Sequence, residues 1–265
     1  MDISTKIKQN KDNINPAPLF INPPQHIEPF MWMNDPNLRI VDQTIIYPDG
    51  KYVGQIKYKL RDGKGIFYFH NGNRYEGEYK NDKMEGNGII YYANYDRYEG
   101  EFKNNMRNGR GVAYISIGNR YDGEWKNNIK EGKGTFYYAN GNKYEGDWKN
   151  NKKEGKGTFY FINGNKYEGD VKNDLREGKG IEYYSNGLRY EGDWKNNKKE
   201  GKGCGYYPNG IVYEGEWKND KEEGRGICYY INGDREMGDY ANDKKIGRHV
   251  TLKVNGDVGT NNYNK

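Results

Sequence analysis

Aliphatic residues are scarce in this 265-residue chain, where all hydrophobic types together make up 33% against 31% charged. That scarcity excludes an ordinary thick-cored globule, because little apolar surface is available to offset chain entropy. No apolar run approaches the roughly 18 residues a membrane-spanning helix needs. No apolar stretch follows a basic start, so no secretory leader is expected. Two cysteines, Cys204 and Cys228, cannot staple a chain this long, which fits a reducing, cytoplasmic setting. They stand 24 residues apart, which puts them on opposite faces of a strand-built repeat as two free thiols. The three histidines, His26, His70 and His249, lie in unrelated contexts without nucleophile or metal-ligand spacing. Catalysis, a metal, a cofactor and a small-molecule substrate are therefore not expected.

What the chain does have is glycine, 37 of them, and aromatic residues at 15%, including 27 tyrosines. Tyrosine buries a large ring and keeps a polar tip, which suits a thin structure. The net charge of +5 comes from 43 basic and 38 acidic residues. Nucleic-acid binding needs clustered positive charge beside exposed rings, and the interspersed acids argue against it.

The tyrosines are periodic. Tyr52, Tyr75, Tyr98, Tyr121, Tyr144, Tyr167, Tyr190 and Tyr213 follow one another at 23 residues without a slip. A glycine stands two positions after each, and a Gly-x-Gly such as Gly132/Gly134 or Gly155/Gly157 begins nine residues beyond that glycine. Asn-Gly closes most units, as at Asn140-Gly141 and Asn163-Gly164. Eight full units run from 52 to 235, and a ninth has Glu236 in place of the tyrosine. A period of this length signals a repeat architecture.

One unit reads as a hairpin. In Tyr144-Glu145-Gly146-Asp147-Trp148-Lys149, alternation puts Tyr144, Gly146 and Trp148 on one face and the charges on the other. Residues 150–155 read as a polar loop, 157–161 as a returning strand, and Asn163-Gly164 as the tight turn. The fold expected is all-β: an elongated single-layer antiparallel sheet of 23-residue β-hairpins, about 80–90 Å long at roughly 4.8 Å per strand. Stacked hairpins would bring Tyr onto Tyr and Trp onto Trp. Acids at Glu78, Glu101, Glu124, Asp147, Asp170, Asp193 and Glu216 would interdigitate with lysines two residues on, Lys80 through Lys218.

These residues resemble the MORN repeat (membrane occupation and recognition nexus): Tyr-x-Gly-acid-aromatic, a loop, then Gly-x-Gly. Residues 189–196 followed by 200–203 match the pattern closely. Departures are a Glu before the first glycine of Gly-x-Gly (Glu131, Glu154, Glu177, Glu200), Val171 for an aromatic, and Asn94-Tyr95 without the turn glycine. The resemblance implies a long sheet with an aromatic-lined groove. It further implies a non-catalytic scaffold for other proteins of a cytoskeletal, ciliary (axonemal) assembly.

Three surfaces are candidates for binding. The rings Tyr75, Tyr79, Tyr98, Phe102, Tyr121, Trp125, Tyr144, Trp148, Tyr190, Trp194, Tyr213 and Trp217 either fill space between repeats or form a partner groove. Lys126, Lys149, Lys156, Lys179, Lys195 and Lys202 are either a solvated face or a contact for anionic lipid. A homo-oligomer is also left open. Residues 1–44 form a Pro-rich extension whose Phe30-Met31-Trp32-Met33 cluster either caps the first repeat or docks on another subunit, and 257–265 reads as a polar tail. Deleting residues 1–44 separates the two roles of the extension. A solubility loss is expected for a cap, and lost assembly with an unchanged circular dichroism spectrum for a docking peptide.

Overall fold

Each Tyr-x-Gly-acid-aromatic segment forms a seven-residue strand, and each segment around Gly-x-Gly forms a nine-residue strand. In the computed structural model, which describes residues 44–264, unit five supplies β10 (Lys143–Lys149) and β11 (Lys152–Tyr160). Its neighbours are β9 (Ile129–Tyr137) and β12 (Lys166–Lys172). Twenty strands, from β1 (Thr44–Tyr47) to β20 (Val258–Tyr263), pair antiparallel with their sequence neighbours in one open sheet. The all-β, single-layer hairpin array expected from the sequence is the fold. The N-terminal extension with Phe30, Met31, Trp32 and Met33 lies outside the described residues. The expected polar tail at 257–265 is corrected in part: Val258–Tyr263 is a strand paired with β19 (Lys244–Leu252), because Tyr263 continues the aromatic column and packs on His249.

Glycines organise the register. Gly134 faces Gly146, Gly146 faces Gly157, and Gly157 faces Gly169. The row extends in both directions, from Gly54 opposite Gly65 to Gly226 opposite Gly238. Across this bare track lies each tyrosine. A Cβ added at Gly157 would stand 2.4 Å from the Tyr144 ring, and one at Gly146 would stand 2.5 Å from its hydroxyl. The Tyr144 hydroxyl donates to the Asp147 carbonyl at 3.1 Å, and the equivalent bond recurs in every full unit at 2.8–3.1 Å. Trp148 Nε1 donates to the Gly134 carbonyl of the preceding unit at 3.0 Å. Burial of each ring is thus matched by a satisfied polar tip.

Tyr and Trp interleave; they do not stack like on like as the sequence suggested. Tyr121 meets Trp125 at 5.2 Å and Trp148 at 5.1 Å, both edge to face. That is the arrangement ring quadrupoles favour, and each such contact contributes about 0.5–1.5 kcal/mol beyond burial. Where Val171 interrupts the zigzag, Phe159 stands 4.6 Å from Tyr144 and 6.1 Å from Tyr167, bridging them.

The turns are the reverse of the expectation. Asn150-Asn151 is the two-residue turn, with φ of 50° and 65°, and β11 starts directly at Lys152. Positive φ at both central residues is the type I′ geometry that matches strand twist, and asparagine tolerates it. Asn163-Gly164 belongs to a longer loop in which only Gly164 has positive φ and donates to the Phe161 carbonyl at 2.9 Å. Each type I′ turn is stitched to the unit before it. Asn151 Oδ1 accepts from Lys130 N–H at 2.9 Å, and Glu131 accepts from Asn150 N–H at 3.0 Å. Glu154, Glu177 and Glu200 repeat that second bond, which gives the departure from the family pattern a structural role. In the loop departure, Tyr95 itself takes φ of 68°.

Unit nine exchanges both partners of the ring-on-glycine contact. Glu236 replaces the tyrosine and His249 replaces the facing glycine. The imidazole stands over Gly238, and its Nε2 lies 2.9 Å from the Asp239 carbonyl, the bond a tyrosine hydroxyl makes elsewhere. Burial works against the Glu236 charge, but hydrogen bonds from Lys245, Tyr230 and Tyr263 outweigh it and hold the carboxyl down at about 2.

Two glycine substitutions separate space from backbone strain. Gly157→Ala drives a methyl into the Tyr144 ring and is expected to cost about 1–3 kcal/mol as overpacking. Gly247→Ala meets nothing within 4 Å but keeps a φ of 66°, so only the backbone cost of about 1 kcal/mol is expected. Urea midpoints of the two variants would check the order.

Candidate binding face

The sheet presents two unlike faces. On the back, Asp147 pairs with Lys133, Asp170 with Lys156 and Asp193 with Lys179, each N–O distance 2.5 Å. The acid ladder therefore binds the basic column of the preceding unit, not the lysines two residues on. A second back-face ladder sets a cation over a ring at six successive positions, from Arg74 over Tyr91 to Arg189 over Tyr206, for example Arg97 over Tyr114 at 4.2 Å, Lys143 over Tyr160 at 4.1 Å and Arg189 over Tyr206 at 4.0 Å. The glycine track floors a shallow groove of about 690 Å³ on this face, bordered by Thr135, Thr158, Lys133 and Lys156. Of the candidate lipid contacts, Lys126, Lys149, Lys156, Lys179, Lys195 and Lys202 are all exposed, and Lys156 and Lys179 are held in the pairs just named.

The front carries the rings. All twelve candidate groove residues, Tyr75, Tyr79, Tyr98, Phe102, Tyr121, Trp125, Tyr144, Trp148, Tyr190, Trp194, Tyr213 and Trp217, are only 0–5% exposed. They form the core of the sheet. A lid of long side chains seals them: Arg107 sits 4.3 Å over Trp125, Lys130 4.9 Å over Trp148, and Arg176 4.2 Å over Trp194. Such cations place the charged head over the ring face, where the ring quadrupole attracts it.

Accessible on the same face is a column the sequence reading passed over. Phe69, Tyr92, Ile115, Tyr138, Phe161, Tyr184, Tyr207 and Tyr230 recur at 23 residues and are half-buried. Phe69 lies 4.6 Å from Phe67, and Tyr138 lies 4.6 Å from Phe136. The signal was present at a constant six residues before each repeat tyrosine from Tyr75 to Tyr213 and before Glu236, mostly hidden in Tyr-Tyr and Phe-Tyr-Phe runs at the ends of the longer strands. Cys204 pairs with Glu191 on the back and Cys228 with Tyr213 on the front, both free, as expected. Among the described residues no group of three or more His, Cys, Asp or Glu could hold a metal ion.

The family model described as MORN repeat matches residues 52–74, 75–97, 98–120, 121–143, 144–166, 167–189, 190–212 and 213–235. The chain belongs to the MORN repeat family. MORN arrays are in general non-catalytic repeat scaffolds that bind proteins or membranes. No curated protein matches the chain. Among solved structures, the array is similar to the wild-type TCP10 domain of Danio rerio CPAP in complex with a peptide of Danio rerio STIL. The identity is 13%, with 80% of this chain and 93% of that one covered and a TM-score of 0.50. The same domain solved by itself gives 12% identity, 74% and 93% coverage, and a TM-score of 0.47. At these identities the likeness is one of fold.

Burial raises the phenol pKa of all eight repeat tyrosines above the ordinary 10.0. A group whose folded pKa is raised contributes stability that is fully present below its unfolded pKa and lost as pH rises beyond it. The MORN array is therefore expected to keep its stability up to about pH 10 and lose it above that value. Phenolate absorbance should grow together with loss of the β-sheet signal in an alkaline titration, not before it.

Proposed function

We propose that this MORN array is a protein-binding scaffold of a cytoskeletal, ciliary assembly, and that its front face is the contact surface. The observation that carries the reading is the half-buried aromatic column from Phe69 to Tyr230, an apolar stripe left on one side of a single-layer sheet. Apolar stripes rimmed by polar groups suit partner segments that contribute their own apolar side chains. The similar CPAP domain is in complex with a peptide, which agrees with a sheet of this kind holding an extended partner. The ciliary setting and the cytoplasmic location rest on family analogy.

A membrane tether is the competing reading, and the back-face ion pairs count against it, because Lys156 and Lys179 already hold aspartates. The test joins two measurements. Tyr138→Ser with Phe161→Ser, its fold checked by circular dichroism, is expected to capture cellular partners about tenfold less well than the unaltered chain. Flotation with vesicles rich in phosphatidylserine and phosphoinositide is expected to leave the protein at the bottom. Equal capture by the variant, or flotation lost on Lys126→Gln with Lys149→Gln, would reverse the assignment.

A further inference from the structure

The front face is uneven along its length. The position facing the repeat tyrosine on the longer strand is Phe67, Ile90, Ala113, Phe136 and Phe159 in successive units. Ala113 is much the smallest of these; Gly205, facing Tyr190 further along, is smaller still, but Trp217 and Tyr207 close over it, whereas at Ala113 a cavity of about 260 Å³ opens. Buried Tyr98 and Trp125 line it together with half-buried Tyr92 and Ile115, while Arg107 and Lys130 add cationic heads.

Charge on this face is uneven in the same place. Towards the C-terminus, front carboxylates neutralise the lid: Glu182 meets Arg176 at 2.7 Å, and Glu236 meets Lys245. Near the cavity the lining acid is Asp96, and it is engaged by the N–H of Ser116 at 2.8 Å and the amide of Asn94 at 3.0 Å. Among the described residues Lys130 has no carboxylate partner. Burial first, then the neighbouring charges of Lys153 and Arg107, pull its pKa down to about 8. A half-buried cation crowded by two others gains most from an arriving anion.

We propose that the Ala113 cavity is the anchor point for an acidic peptide segment of a partner, which inserts one apolar side chain among Tyr92, Tyr98 and Trp125 and places flanking carboxylates against Arg107 and Lys130. This rests on the scaffold reading and gives it a location and a partner chemistry. Insertion would remove apolar surface from water on both sides. Neutralising the cations would relieve the repulsion that adds to burial in depressing Lys130.

Fluorescence anisotropy with defined probes tests it: labelled peptides carrying one leucine among four aspartates, the same peptides with alanine for leucine, and the same with asparagine for aspartate. The acidic peptides are expected to bind about tenfold more tightly, with the difference shrinking at high salt. Ala113→Phe fills the cavity with the residue that Phe136 and Phe159 already place in this column, so the fold should stand while the preference for an apolar anchor disappears. Lys130→Gln should reduce the preference for aspartate and leave the preference for leucine. If Ala113→Phe does not fold, Lys130→Gln decides alone. Unchanged binding by a folded Ala113→Phe, or no distinction between aspartate and asparagine probes by the unaltered chain, overturns the proposal. Neither result touches the scaffold reading, which stands or falls with the Tyr138 and Phe161 substitutions.

Discussion

A tyrosine ring laid over two facing glycines is the contact on which this molecule depends. A ring can lie that close to the backbone only where neither strand carries a Cβ, so each unit must supply glycine at two positions. Once the ring is there, its hydroxyl reaches the carbonyl three residues on, and the aromatic residue two positions past the glycine meets it edge to face. The indole then spans back to the preceding unit through the Gly134 carbonyl. The ring, its glycines and its hydroxyl bond are complete within one unit, but the indole finds its carbonyl and its second tyrosine, Tyr121, only in the preceding one, which is why stability in such arrays is shared between neighbours. The lid of Arg107, Lys130, Lys153 and Arg176 completes the burial, so one layer of strands achieves what other folds need two layers to do.

The parts legible in the sequence are those that repeat in one residue type. Tyr144, Gly146 and Gly157 belong to columns that hardly vary, and they gave the strand pairing, the register and the inward face. Turn chemistry misled because Asn-Gly is the strongest short hairpin signal, whereas Asn150-Asn151 sits inside a run of polar residues where nothing marks a boundary. The ion pairs were displaced by one unit because a carboxylate at Asp147 points across to the strand already laid down, and sequence spacing does not say which neighbour a side chain leans towards. Ring tilt, which decides whether Tyr meets Tyr or Trp, is a property of packing alone. The twelve candidate groove residues share one face, as alternation required, but lie inside the sheet's core. Twelve rings with the strongest periodicity are the ones the sheet most needs inside, and the accessible column varies among Phe, Tyr and Ile because its packing is looser.

Asparagine has a part beyond forming the turns. Asn151 and its equivalents saturate backbone N–H groups one unit back, while Asn142 Oδ1 serves Ile162 N–H at the other end of the hairpin. Those amides would otherwise open to solvent beside a thin core. Unit nine shows how far the scheme bends: Glu236 and His249 trade the roles of a ring and a gap, and the aromatic zigzag continues through Tyr240 and Tyr263.

Because most units bond to the next through partners 19, 20 and 21 residues away, the sheet has a natural increment. Duplicating or deleting one unit would change its length by about 10 Å, two strand spacings, with no junction left mismatched. A molecule built this way acts as a ruler whose gradations are written in the gene, and the distance it sets between two bound objects can be adjusted without redesigning either attachment.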